Sequence, residues 1–165
     1  MAGEDITATV EVEAFLADWL GRDSALTALH GGAVHPIIVP DSVDLEARPE
    51  LVAITYRRTA TTDRASTLLQ ATGSAKATFD IRIWGRSDSR GYLAICRAAR
   101  LVRLKLNGLK TETPEGHFIE AAFVTNEYDD AEEVLQEDAS VVMFARVLTV
   151  DISYQEVAQS ALGGA

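Results

Sequence analysis

Halfway through residues 75–104, AKATFDIRIWGRSDSRGYLAICRAARLVRL, the rhythm of the apolar side chains changes. Up to Trp84 they alternate by two; after Ser87 they repeat by three and four. A period of two marks a strand with one buried face, and a period near 3.6 marks a helix with one buried stripe. The stretch therefore reads as strand, short turn, helix. Ala75, Ala77, Phe79, Ile81 and Ile83 form the strand's core face, and Lys76, Thr78, Asp80, Arg82 and Trp84 the other. Ser87 or Asp88 can cap the helix. Its core stripe is read as Tyr92, Ile95, Cys96, Ala99, Val102 and Leu106, ending near Asn107-Gly108. Leu93, Leu101 and Leu104 lie off that stripe, interleaved with Arg97 and Arg100, so this helix has a second apolar side to bury.

The flanking sequence supplies the remaining elements. Val12, Phe15, Leu16, Trp19 and Leu20 fall at i, i+3, i+4, i+7 and i+8, an amphipathic helix that stops at Gly21. DSALTALHGG adds a short helix with Ser24 as N-cap, ending at Gly31-Gly32. AVHPIIVP, with Pro36 and Pro40, reads as an edge strand. LVAITYRRT follows as a strand with Val52, Ile54 and Tyr56 on one face, and residues 60–74 as a long mobile hairpin connection. HFIEAAFVT and VVMFARVLTVDISYQ close the set. This order predicts an α+β fold: a mostly antiparallel sheet of about four to five strands with two main helices packed on one face. The expected organisation is an N-terminal extension over 1–9, one domain over 10–156 and a frayed tail over 157–165.

Charge is segregated along the chain. The net charge is −10, and no Lys or Arg occurs between Lys110 and Arg146, a gap that holds Glu112, Glu115, Glu120, Glu127, Asp129, Asp130, Glu132, Glu133, Glu137 and Asp138. From Arg82 to Lys110, by contrast, the bases oppose only Asp88. Such a dipole in sequence can steer partners together head to tail. Trp84 beside Arg82 on an outward strand face is a combination enriched at interfaces.

Catalytic signatures are missing. His30, His35 and His117 have no second ligand at metal spacing and read as surface histidines. Cys96, the single cysteine, allows no internal disulfide and sits on the expected buried stripe as a small hydrophobe. No glycine-rich phosphate loop or nucleophile elbow is present, and EYDDAEEVLQED lacks the alternating ligands and central glycine of an EF-hand. No apolar run approaches the roughly 18–20 residues of a membrane span, and the acidic N-terminus lacks a signal-peptide layout. The expectation is a non-enzymatic protein, with no cofactor and no metal, folded in a reducing cytoplasm.

The order of features resembles the tail-completion or tail-terminator proteins of long-tailed bacteriophages. The resemblance spans roughly residues 10–156. It lies in VEVEAFLADWL, VHPIIVP, RPELVAITYRR, the strand-turn-helix DIRIWGRSDSRGYLAI, and the closing hairpin of FIEAAFVTNEYDDAEEV and VVMFARVLTVDISYQE. The insertion-like RTATTDRASTLLQATG departs from that pattern.

The resemblance implies a virion protein, assembled in the host cytoplasm, that forms a ring, usually a hexamer, at the head-proximal end of the tail tube. There it stops tube polymerisation and joins the head connector. Its implied partners are itself, the tail tube protein, the neck or head–tail connector protein and the tape-measure protein; DNA passes without specific binding and no membrane is involved. Arg82, Trp84, Leu93, Arg97, Arg100, Leu101 and Leu104 are then candidates for a subunit or partner interface. Glu127, Asp129, Asp130, Glu132, Glu133, Glu137 and Asp138 are candidates for an acidic interface or a channel lining. The alternatives are another neck component, or a soluble α+β binding domain or small enzyme with a pocket near His117 and Glu120 or around Arg146.

Overall fold

The computed structural model describes residues 4–40, 42–45, 47–63, 74–112, 118–130 and 143–155. In chain order the elements are α1 (Glu4–Arg22), α2 (Ser24–His30), β1 (Val34–Pro36), β2 (Ala53–Asp63), β3 (Ser74–Arg86), α3 (Ser89–Leu106), β4 (Leu109–Glu112), β5 (Phe118–Asp130) and β6 (Met143–Gln155). The strands form one six-stranded sheet in the order β1-β2-β3-β6-β5-β4, antiparallel throughout except for β1 against β2. The chain is thus the α+β fold that the alternation of periods implies. The short β4 and the extension of β5 through Asp130 carry no alternating apolar signal, which is why the sequence pattern does not mark them.

Strand β3 organises the sheet, being paired along its whole length with β6 and over most of it with β2. Ala75, Ala77, Phe79, Ile81 and Ile83 are all buried on one face, as the alternation requires. In register beside them on β6 stand Tyr154, Ile152, Val150 and Leu148. Val12, Leu16 and Leu20 of α1 and Ile95, Ala99, Val102 and Leu106 of α3 complete the same cluster. Each large aliphatic side chain removed from water there contributes about 1.5–3 kcal/mol. Arg58 seals one side of this core, its guanidinium 5.4 Å above the Phe79 ring and 3.2 Å from Glu13 on α1.

Three local expectations are corrected. Asp23, not Ser24, caps α2: its carboxylate accepts from the backbone N–H groups of Ala25 and Leu26 at 3.1 and 3.0 Å. The same carboxylate accepts from Lys105 at 2.6 Å, tying the corner between α1 and α2 to the last turn of α3. Partial burial would raise its pKa, but Lys105 and the two N–H groups outweigh that and hold the acid below its usual value. Secondly, the buried stripe of α3 is Gly91, Ala94, Ile95, Ala98, Ala99, Val102 and Leu106; Tyr92 is 42% exposed and Cys96 half-buried. The helix turns its smallest residues to the sheet because they let its axis approach, whereas a reading by side-chain size favours the larger ones. Thirdly, β2 continues to Asp63, through residues expected to be connection; 64–73 lie outside the described residues.

The turn from β3 into α3 depends on that close approach. Asp88 caps the helix, accepting from the Gly91 N–H at 2.9 Å, and its second oxygen lies 2.6 Å from Arg86. A Cβ on Gly91 would sit 2.2 Å from the Arg86 carbonyl oxygen, and one on Gly85 would sit 2.9 Å from the Ile95 side chain. Backbone cannot yield as a flexible side chain can. Gly91→Ala should therefore lower stability by about 3 kcal/mol. Gly21→Ala, at an exposed helical position with nothing within 4 Å of a new Cβ, should raise it by about 0.5–1 kcal/mol. Thermal melts followed by circular dichroism check both.

Candidate functional site

The anticipated interface residues are not neighbours. Arg82 and Trp84 lie on the sheet face turned away from the helices, while Leu93, Arg97, Arg100 and Leu104 lie on the far side of the helical layer. On the open face Trp84 stands between Ala53 of β2 and Ala145 of β6, small neighbours that leave room for the indole. Its N–H donates to the Thr55 hydroxyl at 3.0 Å, so the half-buried ring is already anchored within the chain. Arg82 donates to Asp130 at 2.7 Å.

The acidic end of β5 is matched inside the chain as well. Its alternation places Glu127 and Asp129 on the helix side and Asp130 on the open side. Arg146 on β6 meets Asp129 at 2.7 Å and Glu127 at 3.7 Å, and Arg103 on α3 meets Glu127 at 2.7 Å. Arg146 also donates to the Tyr92 hydroxyl at 3.1 Å and to Cys96 Sγ at 3.4 Å. The Asp129 carboxylate, more than any other neighbour, raises the Arg146 pKa, which burial alone would lower. The bases of one segment thus neutralise the acids of another across strand and helix. Glu132, Glu133, Glu137 and Asp138 lie outside the described residues.

The outward stripe of α3 behaves differently. At about 100° per residue, Leu93, Arg97, Arg100 and Leu104 fall on one line opposite Val102 and Ala98. Leu93 is 54% and Leu104 62% exposed. Arg97 and Arg100 are both exposed, and neither forms an ion pair with any described residue. Leu101 has turned partly inward and packs against the core. On this stripe exposed apolar area and charge with no ion-pair partner among the described residues coincide.

Two further exposed apolar groups escape a reading by periodicity. Ile37 and Ile38 project beside the β1 edge, and Phe123 and Tyr128 from the open face of β5. A proline-flanked apolar pair on a three-residue edge strand is the signal that marks the first. Phe123 carries none, since it alternates as a buried residue would.

The histidine expectation fails at His30, which is 2% exposed. The Gly32 N–H donates to its Nδ1 at 2.9 Å, so its Nε2 carries the proton and donates to the Leu20 carbonyl at 3.0 Å. It is a neutral clasp over the α1–α2 corner. His35 is half-buried on β1 and its Nε2 has no hydrogen-bond partner among the described residues; His117 lies outside them. Among the described residues no three His, Cys, Asp or Glu side chains gather as metal ligands would, and no helix is long and apolar enough to cross a membrane.

No protein-family profile and no curated protein matches the chain. Among solved structures, a chain of the virion of a native gene transfer agent particle is 19% identical with a TM-score of 0.58, covering 86% of this chain and 93% of that one. At that identity the likeness establishes the fold. A second solved chain, 14% identical with a TM-score of 0.49 over 96% of this chain and 99% of its own, is too loose to bear an argument.

Burial lowers the His30 pKa, with the Leu20 carbonyl opposing only in part. A group whose folded pKa is depressed stabilises fully above its unfolded value and progressively less as pH falls. The melting temperature should therefore drop from about pH 6.5 downward. His30→Phe should flatten that slope while being less stable at neutral pH; melts across the window decide.

Proposed function

We propose that the chain is a structural protein of a phage-like particle, a tail terminator that assembles as a ring on the head-proximal end of the tail tube. The observation that carries this reading is the shared fold with a chain of a gene transfer agent virion, over nearly the whole of both chains. It is supported by the sequence resemblance set out above and by an interaction surface, the α3 stripe, whose arginines form no ion pair among the described residues. Arg82 and Trp84 offer a second contact surface on the open sheet face, towards the tube or the connector.

A ring needs one patch to meet a different patch under a rotation that closes. The segregated charges of the sequence are only partly available for this, because Glu127, Asp129 and Asp130 already hold Arg103, Arg146 and Arg82. Glu132, Glu133, Glu137 and Asp138 serve either as the acidic half of a contact or as a lining of the channel. A net charge of −10 suits DNA passage, since a negative wall offers no phosphate contacts. A role elsewhere in the neck, on the portal side, is the second reading; the open sheet face would then meet a connector ring.

Light scattering after size exclusion, with electron microscopy of the same fractions, tests assembly. The expected result is a ring with a mass near six chains of 17.8 kDa. Contacts between exposed charges should weaken with salt, the Debye length being about 10 Å at 0.1 M; a channel lining should leave assembly unchanged. Added to purified tail tubes, the protein should cap one end and halt growth. A monomer that leaves tubes untouched would remove the terminator reading.

A further inference from the structure

The exposed Ile37–Ile38 pair is held in an unusual way. Ile37 has φ 66°, the one non-glycine residue with positive φ among the described residues. The Ile38 N–H donates to the Pro36 carbonyl at 2.7 Å and the Ile37 N–H to the Tyr56 carbonyl at 3.1 Å, which together close a three-residue turn against β2. A β-branched residue is poorly suited to this conformation, and glycine would adopt it freely. Yet the two side chains are 62% and 70% exposed, so the chain gains no burial in return. Strain held at an exposed apolar residue points to a contact outside the chain.

The surroundings indicate its chemistry. Residues 37–50, IIVPDSVDLEARPE, carry Asp41, Asp44, Glu46 and Glu50 against Arg48 alone. Asp44 accepts from the Ala47 N–H, and neither it nor Glu50 forms an ion pair with a described residue. The segment is an apolar knob followed by carboxylates. On α3 the order is apolar, cationic, cationic, apolar: Leu93, Arg97, Arg100, Leu104, its two guanidiniums without a carboxylate partner among the described residues.

We propose that the Ile37–Ile38 turn and the acidic segment behind it dock on the Leu93–Leu104 stripe of a second copy of the chain. One chain cannot make this contact with itself. The turn lies at the β1 edge of the sheet, whereas α3 packs over β3, β6 and β5 with its stripe pointing away from the sheet. Each copy therefore offers its turn to one neighbour and its stripe to another, the head-to-tail geometry from which rings close. The inference deepens the ring reading and rests on it; it names the two surfaces that meet.

The test uses the full chain and reads mass by light scattering, alone and on purified tubes. I37S/I38S and R97E/R100E should each reduce the assembly to the 17.8 kDa chain, with circular dichroism unchanged because all four side chains are at the surface. Ile37→Gly should weaken assembly while raising the melting temperature of the monomer, a split that a purely structural role would not produce. Combining R97E/R100E with D44R/E50R should restore the assembly. If R97E/R100E dissociates it while I37S/I38S does not, or if the charge swap fails to rescue, the stripe holds another occupant and the proposal is overturned. An assembly indifferent to both variants overturns the contact and leaves the ring standing. A wild-type chain that is monomeric both alone and on tubes overturns both.

Discussion

Helix α3 meets the end of β3 through a gap that only glycine fits. With a Cβ on Gly91 only 2.2 Å from the Arg86 carbonyl, and one on Gly85 only 2.9 Å from Ile95, no other residue fits either place without displacing its neighbour. That gap sets the depth of the helix, and the depth decides which side of it is buried. The side chains facing the sheet are glycine and alanines as well as Ile95, Val102 and Leu106. The opposite side, with Leu93, Arg97, Arg100 and Leu104, is left to solvent by the same rotation. The core and the exposed stripe are therefore two consequences of one close approach.

Electrostatics are rearranged by the fold. Along the chain, bases and acids occupy separate blocks; in the sheet, β5 lies beside β6 and under α3, so acids of the second block meet bases of the first and Arg146. Most of these groups are partly exposed, so each pair is worth little on its own. Their effect is to remove charge from one surface and leave it on another. The guanidiniums of Arg97 and Arg100 remain because α3 turns them outward, away from every described carboxylate. The surface that remains cationic belongs to a chain that is strongly acidic overall, the charge contrast on which the proposed contact between copies rests.

Much of the fold was legible because two periods suffice to distinguish a half-buried strand from an amphipathic helix. The core face of β3 is the alternation itself, and the stripe of α1 from Val12 to Leu20 is the 3.6 repeat. What escaped had a local cause. β4 is four residues long and the end of β5 is acidic, so neither shows an apolar pattern. Tyr92 and Cys96 looked like core residues because size dominates such a reading, whereas alanine and glycine were what the close contact required. His30 looked like a surface residue because a histidine's burial depends on the carbonyl and N–H that await it, and those come from Leu20 and Gly32 across a corner. Of the candidate interface, Leu93, Leu104 and the arginines of α3 were legible from helical geometry, whereas Leu101 packs against the core. The Ile37 turn was not, since a positive φ at isoleucine has no sequence signature.

By itself the sequence determined the class of fold, the strand-turn-helix of β3 and α3 with its Asp88 cap, and the excess of apolar surface on one helix, because each follows from the spacing of residues near one another in the chain. Only the tertiary structure decided which charges are neutralised and which remain free, and that the two halves of the anticipated interface face opposite directions. Those properties depend on strand order: β6 sits between β3 and β5, and no local pattern states which strands will be neighbours.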